Sequence, residues 1–258
     1  MPTASDDRTR VESIFVRHRN TLMVRANFCD IFTDHYLHLA DQNLRYPPEL
    51  DHKLKELYVA LTLHATARPW SEVHAWTANL RAPRVNFFAT ASSTHENVVG
   101  RVFTDDVREP PQNLLYVQVN DGQGGEPRRS TVALDNENPF DWLTHYYSQS
   151  EQRPARLFEL PDENFVLLAA QPAFDEEWFE SLTTEKVAAL AEEEELSPLE
   201  NRFFRYHCGC TRERIMPALS VWQDKLDELF QGEDRITVQC PRCAAKHTIT
   251  PADFASDQ

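Results

Sequence analysis

Four of the chain's five cysteines stand in two tight pairs near its C-terminal end, Cys208-Gly-Cys210 and Cys240-Pro-Arg-Cys243, with 29 residues between the pairs. Two thiolates at such spacing supply two corners of a tetrahedron, so two pairs complete one structural zinc site. A single intervening residue barely lets both sulfurs of a C-x-C reach one metal, and Gly209 relieves that strain. Cysteine fills all four places, no H-E-x-x-H is present, and a catalytic zinc would keep one place for water. The expected cofactor is therefore one zinc per chain, held in the reduced state by Cys208, Cys210, Cys240 and Cys243. Two buried reduced pairs or ordinary disulfides are the alternatives, but a disulfide framework belongs to short secreted chains with an even cysteine count. His207 and His247 flank the pairs and could substitute as ligands, but each reads first as a surface or supporting residue. Thr211 is placed to cap a helix whose N–H ends would lower the thiol pKa values, and Pro217 is expected to split that helix.

Charge narrows the function. The 258 residues carry 26 Lys and Arg against 41 Asp and Glu, a net charge of −15. Nucleic acid and anionic membranes both ask for the opposite balance. Residues 201–258 hold eight basic and eight acidic side chains, so the cysteine segment is not a basic zinc ribbon either. No apolar run approaches the ~18 residues of a membrane span, and residues 1–20 lack the apolar stretch of a signal peptide. The chain reads as soluble and cytoplasmic, binding neither nucleic acid nor membrane. No glycine-rich phosphate loop, Ser/His/Asp set or carboxylate pair stands out, so no catalytic or organic-cofactor residues are expected and the protein is not read as an enzyme. Cys29 reads as a buried small hydrophobe, and His64, His74 and His145 as scattered structural histidines.

The pattern along the chain is α+β. Pro47-Pro48 opens a helix with Leu50, Leu54, Leu57 and Leu61 on one stripe. Strands are expected over 73–80, 84–92, 98–104, 114–119, 131–134, 155–160 and 165–170. The loop 120–126, with half of the six glycines, forms a hairpin connection. Asn138 and Pro139 start a second helix through Phe140, Leu143 and Tyr147. Strands and helices in this irregular order argue for α+β rather than a βαβ array. The domains are then 1–172, a mixed core; 173–206, an acidic helical linker; and 207–258, a small four-cysteine domain.

The linker is distinctive. Between Gln171 and Glu200 lie ten acidic residues and one base, Lys186. The stretch 183–196 has helical composition, yet little of it is apolar, and Glu192 to Glu195 oppose the helix dipole by ~0.3–1 kcal/mol each. Such a run is either a solvated linker or a marginal helix kept folded by what it packs on. Ser197-Pro198-Leu199-Glu200 reads as a capping box opening a further helix. Leu199, Phe203 and Tyr206 would share its face, beside the cysteines.

Cys208-Gly-Cys210-Thr-Arg-Glu-Arg, followed by Cys240-Pro-Arg-Cys243, resembles the zinc domain of the redox-regulated holdase heat-shock protein thirty-three family. Tyr146-Tyr-Ser-Gln-Ser-Glu-Gln152 with Pro154 is similar to a segment of that family's core domain, and Val98-Val-Gly-Arg101 and 167–172 are looser matches. The resemblance implies an ATP-independent holdase chaperone, inactive when reduced and zinc-bound. On oxidation Cys208 would pair with Cys210 and Cys240 with Cys243, zinc would leave, and the linker would unfold. Unfolding client proteins would then be bound, with a homodimer in the oxidised state, 1–172 serving client binding and dimerisation and Leu199, Phe203 and Tyr206 lying on the client surface. A zinc-stabilised scaffold without a working switch is the alternative function. This sequence departs from the family in Thr211, Pro217, His247 and a shorter stretch between Gln171 and Cys208.

Overall fold

A computed structural model describes residues 8–122 and 124–255. Residues 1–7 of the N-terminal stretch and Gln123 of the expected hairpin loop lie outside the described residues.

The core is one mixed sheet wrapped around a buried helix. In chain order the elements are β1 (Thr9–Val16), β2 (Thr21–Asn27), α1 (Cys29–Asp41), α2 (Pro48–Thr66), β3 (Val73–Leu80), β4 (Val85–Ser92), β5 (Asn97–Phe103), β6 (Leu114–Asn120) and β7 (Arg128–Ala133). They continue with α3 (Pro139–Tyr146), a π-helical turn (Tyr147–Glu151), β8 (Ala155–Leu160), β9 (Asn164–Ala170), α4 (Glu176–Glu180), α5 (Thr184–Glu193) and β10 (Leu196–Tyr206). The C-terminal module holds α6 (Arg212–Leu219), α7 (Leu226–Phe230), β11 (Ile236–Gln239) and β12 (Lys246–Ile249). Ten strands form the sheet, in the order β7-β6-β3-β4-β5-β10-β1-β2-β9-β8.

The leucine stripe of α2 is wholly buried, and from Leu57 to Thr66 every residue of the helix is inside. That all-round burial seats α2 at the centre of the main core, among Trp76, Phe87, Leu143 and Leu167. Asn138 caps α3 through Oδ1, which accepts from Phe140 N at 2.8 Å. The helices expected from Pro48 and from Pro139 and the strands from β3 to β9 are present.

Residues 196–206 are the principal correction. They form not a capped helix but the strand β10, paired antiparallel with β1 and, through Arg205 and Tyr206 only, parallel with β5. Arg202, Phe204 and Tyr206 are buried while Asn201 and Arg205 are exposed, a period of two. The strand fills the gap between two half-sheets whose edges would otherwise go unpaired, and that tertiary gain outweighs a local capping signal. Pro198 is accommodated at a β-bulge, where the register steps from Ser13–Glu200 to Ile14–Pro198. Leu199 is the residue skipped there, and it is 58% exposed. Leu199, Phe203 and Tyr206 therefore share no face: the first is bulged out, the second half-buried and the third buried.

The acidic segment does form helices, and it has a base to pack on. Phe179, Leu182, Val187 and Leu190 cover the second face of the sheet, against Ile14, Val16, Met23, Phe158, Val166 and Leu168. β9 thus buries alternate residues on opposite faces, Phe165 and Leu167 towards α2, Val166 and Leu168 towards α4 and α5. The glutamates at the end of α5 meet arginines of the β1–β2 turn. Arg19 bonds Asp175 Oδ2 at 2.6 Å and Glu194 Oε1 at 2.9 Å, and Arg17 bonds Glu195 Oε1 at 3.0 Å. Arg19 also stacks over Trp178 at 5.4 Å. Each pair is partly solvated, so the set contributes only modestly and is weakened by salt. Arg19→Ala should accelerate hydrogen exchange across 176–193 about fivefold at low ionic strength, and much less at 1 M salt. An unchanged rate at low salt would show that apolar burial alone holds these helices.

Candidate metal centre

The strand β10 ends at Tyr206, and the next residues carry the first cysteine pair. Gly209 adopts φ +64°, the left-handed conformation that turns both flanking sulfurs to one side. Thr211 caps α6 as expected, its Oγ1 accepting from Arg214 N at 3.3 Å. Pro217 does not split the helix: α6 runs through it for two residues before a single 3-10 turn. The second pair sits in a knuckle where Ala244 N donates to Cys240 O at 2.9 Å and Cys240 N to Ala245 O at 2.8 Å. The hairpin β11–β12 flanks that knuckle, with Val238 opposite His247.

The four sulfurs converge. Cys208 Sγ is 3.7 Å from Cys240 Sγ, Cys210 Sγ is 3.5 Å from Cys243 Sγ, and all four lie within 4.8 Å of one another. A tetrahedron with Zn–S bonds of 2.3 Å has edges of about 3.8 Å, so the donor set fits the ion. Cys240 and Cys243 are buried, Cys208 and Cys210 half-buried. Burial and the neighbouring Cys208 push the Cys210 thiol up to about 12. Hydrogen bonds to Cys208 and Cys240 push Cys243 up, while the bonds Cys240 receives from Cys208 and Cys243 hold it low. Crowded together and partly desolvated, most of these thiols resist ionising side by side. A soft divalent cation is what lets the remaining thiols ionise.

The module is docked on the core by groups that no local pattern revealed. Arg101 donates to Cys240 O at 3.1 Å and to Gln239 Oε1 at 3.2 Å. His38 Nε2, from α1, lies 2.8 Å from Cys243 O, and Gln42 Oε1, from the residue that ends that helix, accepts from Lys246 N at 2.9 Å. Arg242 reaches Thr90 Oγ1 at 2.8 Å, and Asn97 Nδ2 donates to His207 O at 3.1 Å. Cys240, Cys243 and Ala245 belong to the main core cluster, together with Tyr206. Gly100 sets this floor. A Cβ there would meet Phe88 O at 2.3 Å, and its own carbonyl accepts from the hydroxyls of Tyr58 and Tyr206 at 3.1 and 3.4 Å.

Among the described residues, the cysteines form the one set of donors close enough to share a metal. His207 is exposed, and His247 Nε2 touches Cys210 Sγ at 3.3 Å. Cys29 is remote and, against expectation, exposed, because the first residue of α1 faces the β8–β9 turn. Partial desolvation and Glu163 raise its thiol pKa, which makes it a poor nucleophile.

The Hsp33 protein family model matches residues 158–250, from β8 through the metal centre. A 33 kDa chaperonin of Proteus mirabilis is 27% identical over 253 residues, covering 83% of this chain and 85% of that protein. The chain is thus similar to the Hsp33 family over its C-terminal part and to 33 kDa chaperonins along most of its length. A Yersinia pestis 33 kDa chaperonin is 25% identical over 248 residues, covering 83% and 84% of the two chains. The crystal structure of the Thermotoga maritima 33 kDa chaperonin, a heat shock protein 33 homolog, superposes with a TM-score of 0.70 over 96% of each chain at 15% identity, which establishes a shared fold. None of this chain's described helices is long and apolar enough to cross a membrane.

The second family-like segment is structural. Tyr146 OH donates to Glu151 Oε1 at 3.1 Å, Arg68 bonds Glu151 Oε2 at 2.6 Å, and Gln152 turns left-handed at φ 55°. Tyr147 OH meets His64 Nδ1 at 3.0 Å inside the core.

Proposed function

We propose that this chain is an ATP-independent holdase switched by thiol oxidation, with zinc bound to Cys208, Cys210, Cys240 and Cys243 in the reduced state. An oxidant of the peroxide class would take two electrons from each close pair, giving Cys208–Cys210 and Cys240–Cys243 disulfides and freeing the metal. A C-x-C disulfide is geometrically tight and hence readily reduced again, as a reversible switch requires. Cys208, Cys210, Cys240 and Cys243 would hold the zinc, which would neutralise the thiolates and tie the C-x-C loop to the knuckle; this chain's own groups supply the docking, through Arg101, His38, Gln42 and Arg242.

One observation carries the reading. An apolar sheet face is covered by two helices of five and ten residues, too short to be stable alone, and joined through β10 to the first cysteine pair. Loss of the metal loosens the end of β10, and lifting α4 and α5 uncovers Ile14, Met23, Phe158, Val166 and Leu168. Each such Leu-, Ile- or Phe-sized side chain contributes about 1.5–3 kcal/mol when covered again by a client. This face, rather than Leu199, Phe203 and Tyr206, is the surface the reading assigns to unfolding clients. Residues 1–172 would supply it and the dimer contact of the oxidised form, with 173–206 as the movable cover and 207–258 as the sensor, in the cytoplasm.

The test compares reduced and peroxide-treated protein for zinc release, thiol count and suppression of aggregation of an unrelated unfolding protein. Oxidation should release one zinc, consume four thiols and leave Cys29 free, with suppression gained at the same time. Zinc release without any gain in suppression would leave a zinc-stabilised scaffold as the function.

A further inference from the structure

Among the described residues, His247 is the one imidazole whose ring nitrogen is hydrogen-bonded to a sulfur of the centre: Nε2 is 3.3 Å from Cys210 Sγ. The two residues are held by different parts of the module. Cys210 comes from the C-x-C loop and is half-buried, lining a cleft of about 500 Å³ with His207, Thr211 and His247. His247 sits on β12, and Ile249 on the same strand is fully buried against Phe230 and Phe254 in the module's own small core. The ring's position therefore does not depend on the loop that presents Cys210. Among the described residues, no comparable group stands by for the other cysteines. His38 uses Nε2 on the Cys243 carbonyl, and the contact of Arg242 with Cys208 is to its carbonyl oxygen, at 3.4 Å.

We infer that His247 is a stand-by zinc ligand for Cys210: when that sulfur leaves the metal, Nε2 takes its corner and the site becomes three thiolates and an imidazole. Three cysteines with one histidine is an ordinary structural zinc set, and Zn–N bonds of 2.0–2.1 Å are slightly shorter than the Zn–S bonds they replace. Nε2 lies 3.3 Å from the sulfur it would replace, a separation within reach of side-chain rotation on a fixed strand. The inference rests on the four-thiolate reading. It makes the four cysteines unequal: capture of Cys210 alone leaves the metal in place, and release needs the loss of a second thiolate.

Cobalt(II) is the probe, titrated into reduced, metal-free full-length wild type, Cys210→Ala, His247→Ala, the double variant and Cys208→Ala. Wild type and H247A should give four-thiolate spectra. C210A should bind one cobalt, with sulfur charge-transfer intensity near three-quarters of wild type and d–d bands shifted to higher energy by the nitrogen ligand. The double variant and C208A should bind at less than about a tenth of that occupancy, since the donor set is then incomplete. Equal loss of cobalt in C210A and the double variant would overturn the inference, as would equal retention in both. A C210A spectrum without the nitrogen shift would overturn it even if that variant binds weakly or is partly unfolded. Undiminished binding by C208A would remove the four-thiolate reading itself, and the stand-by ligand with it.

Discussion

Removing the metal from the reduced chain should unfold residues 207–255 and leave the core standing. The module's own apolar centre is small: Phe230, Ile249 and Phe254 are its buried members, rimmed by half-buried Leu219, Leu226 and Val238. Structural zinc supplies roughly 10–16 kcal/mol of apparent binding energy, far more than three buried side chains return. Cys243→Ser should therefore lower zinc occupancy to a small fraction and abolish protection of the β11–β12 amides, an acceleration of exchange of more than about a thousandfold. The amides of α2, at the centre of the separate main core, should keep their protection. Because Cys240, Cys243 and Ala245 are packed into the edge of that core, α1 should show an intermediate effect through His38 and Gln42. A metal-free module whose hairpin stays protected would mean that the fold does not depend on the metal.

What the sequence revealed, and what it concealed, follows from how local each signal is. The leucine stripe of α2 and the strands from β3 to β9 were legible because one buried face imposes a period of 3.6 or 2 on the residues themselves. The metal centre was legible for a chemical reason, since four thiols at short spacings have few other uses in a long chain. β1, β2 and α1 were not recognised. In β1 the alternation is broken between Ser13 and Ile14 by the bulge that admits Pro198, and α1 begins after Phe28 with no side-chain cap to announce it. β10 was misread because Ser197-Pro198-Leu199-Glu200 is a genuine local helix signal, overruled by a sheet edge that only the tertiary structure creates. The period-two burial of Arg202, Phe204 and Tyr206 was the available clue. The docking groups Arg101, Thr90, His38 and Gln42 carry no pattern, for they are defined by a surface brought together from β5, β4 and the end of α1. Glu194 and Glu195 looked like a solvated run for the same reason, because Arg17 and Arg19 lie far away in the chain.

His64 and His74 show the largest consequence of such hidden proximity. Ten residues apart and seemingly unrelated, they meet inside the core with ring centroids 4.8 Å apart. Both are fully buried, and neither ring nitrogen of His74 makes a hydrogen bond among the described residues. Glu72 Oε2 stands 3.4 Å from His74 Nε2, but Arg68 and Arg128 already pair with that carboxylate. Burial first, then Arg68, Arg128 and Arg202, hold His74 neutral, with its pKa lowered to about 3, and burial and His74 lower His64 as well. The unfolded chain protonates both near 6.5, so below that pH it takes up protons that the folded chain refuses. Stability should therefore be level in this respect above pH 6.5 and fall as pH drops, until His74 itself titrates in the folded state near pH 3. Each histidine contributes a slope of up to about 1.4 kcal/mol per pH unit within that window. Denaturant unfolding of the core between pH 6.5 and 5, above the range where carboxylates titrate, isolates the effect. His74→Phe, which keeps an aromatic ring in the same space, should flatten the acid limb by about half, the share of one histidine in two. An unchanged limb in that variant would mean that the pair gains its protons in the folded state, through Glu72, and that the core is not acid-sensitive there.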